Sequence, residues 1–218
     1  MAAGAPYRFE SAAWRRGATR VAGVDEAGRG PLAGPVVAAA VVLPPGTRIA
    51  GVDDSKRLEA EERERLFEII RARALGVGVA IVDHTTIDRI NILQATRLAM
   101  AQALASLGME LELVLTDFVE VPGLRCPQRN LVDGDRRSAS VAAASIVAKV
   151  TRDRIMEAAD RDFPVYGFGR HKGYATPEHR DALERHGPCP LHRRTFAGIW
   201  NQLALFSRSE LQWIDADS

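Results

Sequence analysis

The sequence predicts an α/β domain: a mixed β-sheet covered by helices, with a helical extension at the C-terminus. Three observations carry this. β-branched runs bounded by glycine and proline recur along the first 135 residues. Three segments repeat apolar residues at helical spacing. The order strand, strand, helix, strand, helix, strand, strand, helix then interleaves the two types, as layered α/β domains do.

In chain order, "TRVAGVDEAG" and "GPVVAAAVVLPPG" read as two strands joined by GRGPLAG, a linker short enough to favour an antiparallel pair. "EAEERERLFEIIRARA" places Leu66, Phe67, Ile70 and Ala74 on one helical face, with charge opposite. "GVGVAIVD" is the third strand. "IDRINILQATRLAMAQALASLG" is a long helix with Gly108 as its C-cap. "ELVLTDFV" and the shorter "RNLVDGD" are the fourth and fifth strands. In "SASVAAASIVAKVTRDRIMEAADRD", Val141, Ala144, Ala148, Ile155 and Ala159 form an apolar stripe. Its Ala142-Ala143-Ala144-Ser145 stretch is small enough for its backbone to approach another element closely. After Phe163 the chain turns to loop and short helix, rich in histidine and arginine, with a last helix expected near Ile199 to Phe206. The expected division is an N-terminal extension over 1–19, a core over 20–165, and a basic helical extension over 166–218 packed on the same domain.

Composition narrows the function classes. The chain has 218 residues, 46% hydrophobic and 26% charged, with a formal net charge of +1. So balanced a charge gives no whole-molecule case for nucleic acid, and any such site must come from local patterning. Two cysteines, Cys126 and Cys189, are too few for a disulfide framework and fit a reducing compartment. The longest apolar run, Pro35 to Leu43, falls far short of the roughly 20 residues of a membrane helix. The first residues lack the apolar core of a signal peptide. A soluble, cytoplasmic, monomeric protein is expected.

Acids sit at the ends of predicted strands: Asp25 with Glu26, Asp117 after "LVLT", and Asp135 after "LVDG". Any one alone reads as a surface acid in a turn. Together they read as a cluster, because Asp117 ends a run too apolar to lie at the surface. Gathered carboxylates raise one another's pKa unless a cation is present, and an oxygen-rich set suits Mg²⁺ or Mn²⁺ better than Zn²⁺. The glycines Gly28, Gly30 and Gly34 do not have dinucleotide-binding spacing. Two acids directly before a phosphate cradle would repel the phosphate. A cation between carboxylate and phosphodiester removes that conflict, and Gly28-Arg29-Gly30 then lets backbone come close to a sugar.

These stretches, with "DDSKRL", "NILQATRLAM", "LTDF", "GDRRSASVAAASIVAKVTRDRIM" and "RHKGYATPEHRDALERHGPCPLHRRTF", resemble bacterial ribonuclease HII, in order from about Arg20 to Phe196. The resemblance implies a ribonuclease H-like fold. It implies an endonuclease, acting with two Mg²⁺ or Mn²⁺ ions, that cuts the RNA strand of RNA–DNA hybrids. It also implies cleavage on the 5′ side of single ribonucleotides in duplex DNA, leaving 3′-hydroxyl and 5′-phosphate ends. Asp25, Glu26, Asp117 and Asp135 match the family's catalytic, metal-binding acids, and the match selects Asp135 over Asp133. Gly28, Arg29 and Gly30 match the segment that inspects the ribose 2′-hydroxyl. Tyr174 matches the tyrosine that stacks on the next sugar.

Other residues keep two readings. Lys56 belongs to a helix-entry turn capped by Ser55, or contacts a phosphate. Lys149 pairs with Asp153 four residues on, or faces substrate phosphates together with Arg152. His186, Cys189 and His192 have a spacing that invites zinc, but the segment offers no fourth ligand. The favoured reading there is a basic surface built by Arg170, Lys172, Arg180, Arg185, Arg193 and Arg194. Trp14, Trp200 and Trp213 are read as packing residues. Two rival functions are a non-catalytic nucleic-acid binding module and a DNA-directed nuclease on the same fold.

Overall fold

The computed structural model describes residues 5–199. In order, the elements are α1 (Arg8–Trp14), β1 (Val21–Ala27), β2 (Val36–Val42), α2 (Ala60–Arg73), β3 (Gly76–Val82), α3 (His84–Ala105), β4 (Leu113–Asp117), β5 (Gln128–Leu131), α4 (Gly134–Arg137), α5 (Ala139–Asp162), α6 (Phe168–His171) and α7 (Pro177–His186), with 3-10 turns at Ser55–Arg57 and Pro164–Tyr166. The expected helix near 199–206 lies beyond the described residues apart from Ile199, and Trp200 and Trp213 lie wholly beyond them. Among the described residues, no helix is long and apolar enough to cross a membrane.

The sheet runs β3-β2-β1-β4-β5. β1 and β2 pair antiparallel, as the short GRGPLAG connection requires, while β4 runs parallel to both β1 and β5. Alternate residues of β2 go to opposite faces. Ala39 and Val41 pack with Leu66, Phe67 and Ile70 of α2 and with the alanine stretch of α5. Ala38, Ala40 and Val42 pack with Ala95, Ala99, Met100 and Ala103 of α3. Covered on both faces, β2 reads as an unbroken apolar run.

The small stretch of α5 does approach the sheet closely. A Cβ on Gly23 of β1 would lie 2.1 Å from the carbonyl carbon of Ser140, so only glycine fits at this crossing. α1 fixes the same helix end. The buried Glu10 accepts through Oε1 from Ser138 Oγ at 2.5 Å, the Ser140 N–H at 2.9 Å and Ser140 Oγ at 2.6 Å. A carboxylate there also complements the positive end of the α5 dipole. Trp14 packs with Val21, Leu115 and Val141 on this side.

Two expectations on helices change. The long helix expected from residue 87 is broken at Asn91, whose φ of 66° and ψ of 164° are not helical. The Asn91 side chain accepts from the N–H groups of Leu93 and Gln94 and so caps a second helical segment. Gly108 is not the C-cap either: the cap is Ser106, and Gly108 follows in the left-handed region.

The C-terminal segment is a second core as much as a basic surface. Arg193, expected at the surface, is fully buried, as is Arg152 of α5. The Arg193 guanidinium donates to the carbonyls of Gly34 at 3.0 Å, Arg29 at 3.0 Å, Gly28 at 2.6 Å and Pro35 at 3.2 Å. Arg152 donates to those of Pro35 at 2.9 Å, Ala33 at 3.1 Å and Lys172 at 3.0 Å. Around Tyr166 and Phe168, three histidine rings are packed together, and burial holds two of them, His179 and His192, neutral. The Cys189 N–H donates to His192 Nδ1 at 2.9 Å, which leaves the His192 proton on Nε2, facing His179 Nε2 at 3.0 Å. His179 in turn donates from Nδ1 to the Tyr174 carbonyl at 2.9 Å. His171 stacks on His179 at 4.5 Å. The His186, Cys189 and His192 spacing does not converge into a zinc site: both His192 nitrogens are engaged within the fold, and His186 is exposed.

Arg193→Lys replaces a planar fork with a point donor and leaves buried carbonyls unpaired, at about 1–3 kcal/mol for each unmet group. Urea unfolding is expected to show a loss of about 2–4 kcal/mol, and a loss below 1 kcal/mol would contradict the stapling role. Burial holds His179 down to about 4, and burial with His179 beside it holds His192 down to about 3. The unfolded chain takes up these protons near 6.5, so this part of the stability is complete above that pH and is lost as pH falls toward 3. Denaturation midpoints measured from pH 7 to pH 4 should therefore fall more steeply for the parent than for His179→Gln; equal slopes would refute it.

Candidate metal and substrate site

β1 and β4 run side by side in the same direction, with Val24 opposite Thr116. The next residue on each is an acid, so parallel pairing alone brings Asp25 beside Asp117. Asp117 then fixes the fourth acid: its Oδ1 accepts from the Gly134 N–H at 2.8 Å, at the start of α4. That contact draws Asp135 inward to 3% exposure, whereas Asp133 stays exposed with a left-handed backbone, φ 54°. The structure thus brings Asp25, Glu26, Asp117 and Asp135 together and leaves Asp133 outside.

The electrostatics report the crowding. Burial pushes the Asp25 carboxyl well above the usual carboxylate range, and Glu26, Asp117 and Asp135 add to it; the Glu26 N–H at 2.8 Å only partly offsets this. Glu26 is raised by burial, with Asp117 adding and Arg29 at 3.4 Å opposing. Asp135 is raised to about 6 by burial, then by Asp54 and Asp117, against the nearby Lys56. Lys56 places Nζ 3.9 Å from Asp135 Oδ2. Burial works against its charge, yet Asp54, Asp135, Asp25 and Asp117 outweigh it and raise its pKa. Lys56 therefore faces the acids.

Asp54 is the residue the sequence marks least. It caps the 3-10 turn through the Lys56 N–H at 2.9 Å and lies close enough to Asp135 for its charge to raise that carboxyl's pKa. Its only signal is its place in "DDSKRL", beside the lysine that the same turn aims at the cluster. Ser55 is not the cap. It is buried, with Oγ 2.7 Å from Ser145 Oγ of α5. Lys149 is engaged elsewhere: its Nζ lies 2.6 Å from Asp153 Oδ1, the helix pair the spacing predicts. Arg152 is a staple inside the fold and does not face solvent.

The acids fit a hard divalent cation. Glu26 Oε2 is buried without a hydrogen-bond partner, and the four carboxylates repel unless positive charge lies among them. Among the described residues, no three acidic, histidine or cysteine side chains close into a ready cage. One oxygen each of Asp25, Glu26 and Asp117 is already bonded to the chain. Such an open set suits Mg²⁺, which keeps waters and takes one or two carboxylates plus substrate phosphate.

Beside the acids lies the glycine segment. Gly28 has φ 98°, and a Cβ there would lie 2.1 Å from Arg152 Nε, so glycine is required. Arg193 takes the carbonyls of Gly28 and Arg29 on the inner side, and Gly30 is exposed on the outer. Tyr174, 44% exposed, flanks it: a Cβ on Gly30 would lie 3.8 Å from Tyr174 Cε1. A bond from the Leu32 N–H to the Gly173 carbonyl at 2.9 Å ties the two loops.

Residues 22–199 match the family model described as Ribonuclease HII. The chain is 54% identical over 198 residues to the ribonuclease HII of Geobacter metallireducens, covering 91% of this chain and 93% of that protein. It is 55% identical over 200 residues to that of Chloroflexus aurantiacus, covering 89% and 94%. Of solved structures, the ribonuclease H2 from Pyrococcus horikoshii OT3 matches with a TM-score of 0.71 at 29% identity, over 85% of this chain and 98% of that one. With its mixed sheet, its flanking helices and the family model spanning nearly all of its described residues, the chain belongs to the ribonuclease HII family.

Proposed function

We propose that Asp25, Glu26, Asp117 and Asp135 form the catalytic, metal-binding centre of this member of the ribonuclease HII family. The protein is an endoribonuclease acting on the RNA strand of RNA–DNA hybrids and on ribonucleotides within DNA. At duplex DNA with one ribonucleotide, the cut falls on the 5′ side, leaving a 3′-hydroxyl and a 5′-phosphate. The observation that carries this reading is the set of mutually repelling, buried and half-buried acids that gathers where β1 and β4 end side by side, with Asp135 of α4 joining them.

Bound Mg²⁺ or Mn²⁺, two ions in the expected mechanism, would supply an activated water and neutralise the leaving oxygen. The chain supplies the remainder. Asp25 and Asp117 hold fixed positions because β1 and β4 do, and Asp135 is set by the Gly134 contact. Lys56 provides a positive charge at the rim for a phosphate of the cut strand. Gly28-Arg29-Gly30 presents backbone to the ribose 2′-hydroxyl, the group that separates RNA from DNA. Tyr174 closes against the following sugar and favours a deoxyribose there. A binding module without catalysis is disfavoured, because clustered carboxylates facing phosphates weaken binding. A DNA-directed nuclease would need no 2′-hydroxyl reader. Lys149, held by Asp153, has no part in this reading.

The expected result with a labelled duplex carrying one ribonucleotide, in Mg²⁺ or Mn²⁺, is a single cut 5′ to that nucleotide. All-DNA duplex should stay whole, and Asp25→Asn should lower the rate by about a hundred- to a thousandfold, on the scale of lost transition-state charge stabilisation. Cutting of the all-DNA duplex would favour the DNA-directed alternative. Binding without any cutting would favour the binding module. A second readout needs no substrate. In metal-free buffer Asp25→Asn relieves repulsion, so its thermal midpoint should equal or exceed the parent's. Added Mg²⁺ should raise the parent's midpoint more than the variant's. A variant that melts lower and responds to Mg²⁺ like the parent would remove Asp25 from the metal set.

A further inference from the structure

Next to the acids the backbone makes an unfavourable turn. Phe118, the residue after Asp117, has φ 55°, in the left-handed region that a bulky aromatic rarely adopts. A short loop closes around it, with the Val119 N–H on the Asp117 carbonyl at 2.5 Å and the Phe118 N–H on the Leu131 carbonyl at 2.9 Å. The chain then dives inward, burying Val119 and Val121, while the Phe118 ring is left 72% exposed. Val132, just past the paired end of β5, is 63% exposed. One position therefore combines a strained backbone with a wetted aromatic ring. Glycine there would remove both penalties, and the fold gains nothing from the ring, since it buries little of it. Strain kept at a site border is a mark of function.

The sheet order says what the ring meets. Gly28-Arg29-Gly30 leaves β1 toward β2, on one side of Asp25, while Phe118 and Val132 lie on the β4–β5 side of Asp117. The acids fall between them. A strand whose 2′-hydroxyl is read at the glycine segment, with its scissile phosphate at the acids, continues toward Phe118. The 2′-hydroxyl lies in the wide, shallow minor groove, where sugars and base edges are open to an apolar ring.

We infer that Phe118 is a substrate contact: its ring packs against the sugar and minor-groove base edge of the nucleotide on the 5′ side of the cut. This rests on the proposed function. The contact sets how firmly the upstream strand is held at the moment of cleavage, and a flat apolar face is its whole requirement. Tyrosine can replace phenylalanine, whereas alanine or glycine cannot.

The test compares Phe118→Ala, Phe118→Gly and Phe118→Tyr with the parent on duplex carrying one ribonucleotide. For the alanine and glycine variants kcat/KM should fall about tenfold, the order that one aromatic contact is worth, and Phe118→Tyr should stay within about twofold of the parent. Phe118→Gly should melt at or above the parent's temperature, because it relieves the left-handed strain. 2-Aminopurine placed 5′ of the ribonucleotide should change fluorescence on binding to Asp25→Asn protein in Mg²⁺, and the change should shrink when Phe118→Ala is added. Unaltered kcat/KM and fluorescence in a parent that cuts would overturn the contact alone. So would a glycine variant that loses stability along with activity, which would make Phe118 structural. A parent that fails to cut would instead overturn the reading of the acids.

Discussion

Arg152 and Arg193 carry two positive charges into the interior, and the segment from Gly28 to Pro35 supplies most of the carbonyls that receive them. A buried guanidinium has five fixed N–H donors and no acceptor, so every carbonyl it engages is held in direction as well as position. Burial lowers the Arg193 pKa to about 9, with the Arg152 charge beside it adding, and the group still stays protonated at neutral pH. The loop between β1 and β2 has no regular strand or helix of its own, and this network is what sets its path. Because Arg152 comes from α5 and Arg193 from the C-terminal segment, three distant parts of the chain meet at the glycines. The neutral histidines extend the same network, since His179 holds the carbonyl of Tyr174.

The acids obey the opposite logic. Arg152 and Arg193 are satisfied by carbonyl dipoles, while Asp25, Glu26, Asp117 and Asp135 are left short of positive charge. Arg29 and Lys56 approach only from the rim, and both are substantially exposed. The fold thus completes its own polar groups on one side of the glycine segment and leaves a charge deficit on the other. A cation-dependent phosphodiester chemistry uses such a deficit. A chain built only for stability would have replaced it with apolar residues. The left-handed Phe118 belongs to the same border, where local stability has been given up in several adjacent positions.

Much of the site was legible because its residues sit at element ends that periodicity locates. Asp25, Glu26 and Asp117 close apolar strands, and Asp135 follows a short one, so their grouping was readable once the strands were. The choice of Asp135 over Asp133 came from resemblance, and its physical reason appears only in the Gly134 contact with Asp117. Asp54 is harder to read, since an acid capping a short, half-buried turn carries no periodic pattern. The histidine and arginine tract misled for a related reason. Composition marks it as basic surface, but Arg193 and the rings of His179 and His192 are interior, satisfied by carbonyls and by one another. At Asn91 the apolar spacing predicts helix, because its helix-breaking role depends on its side chain turning back to cap the next turn.

The sequence by itself determined the strands and helices, the strand-end acids, and the need for small residues where α5 meets the sheet. These follow from period, β-branching and side-chain volume, which are local properties of the chain. Only the tertiary structure decided which charges are inside, which carbonyls receive them, and on which side of the acids the glycine segment and Phe118 fall. The reason is that burial and pairing of a charge are properties of its surroundings, and those surroundings come from residues as far apart as Gly28 and Arg193.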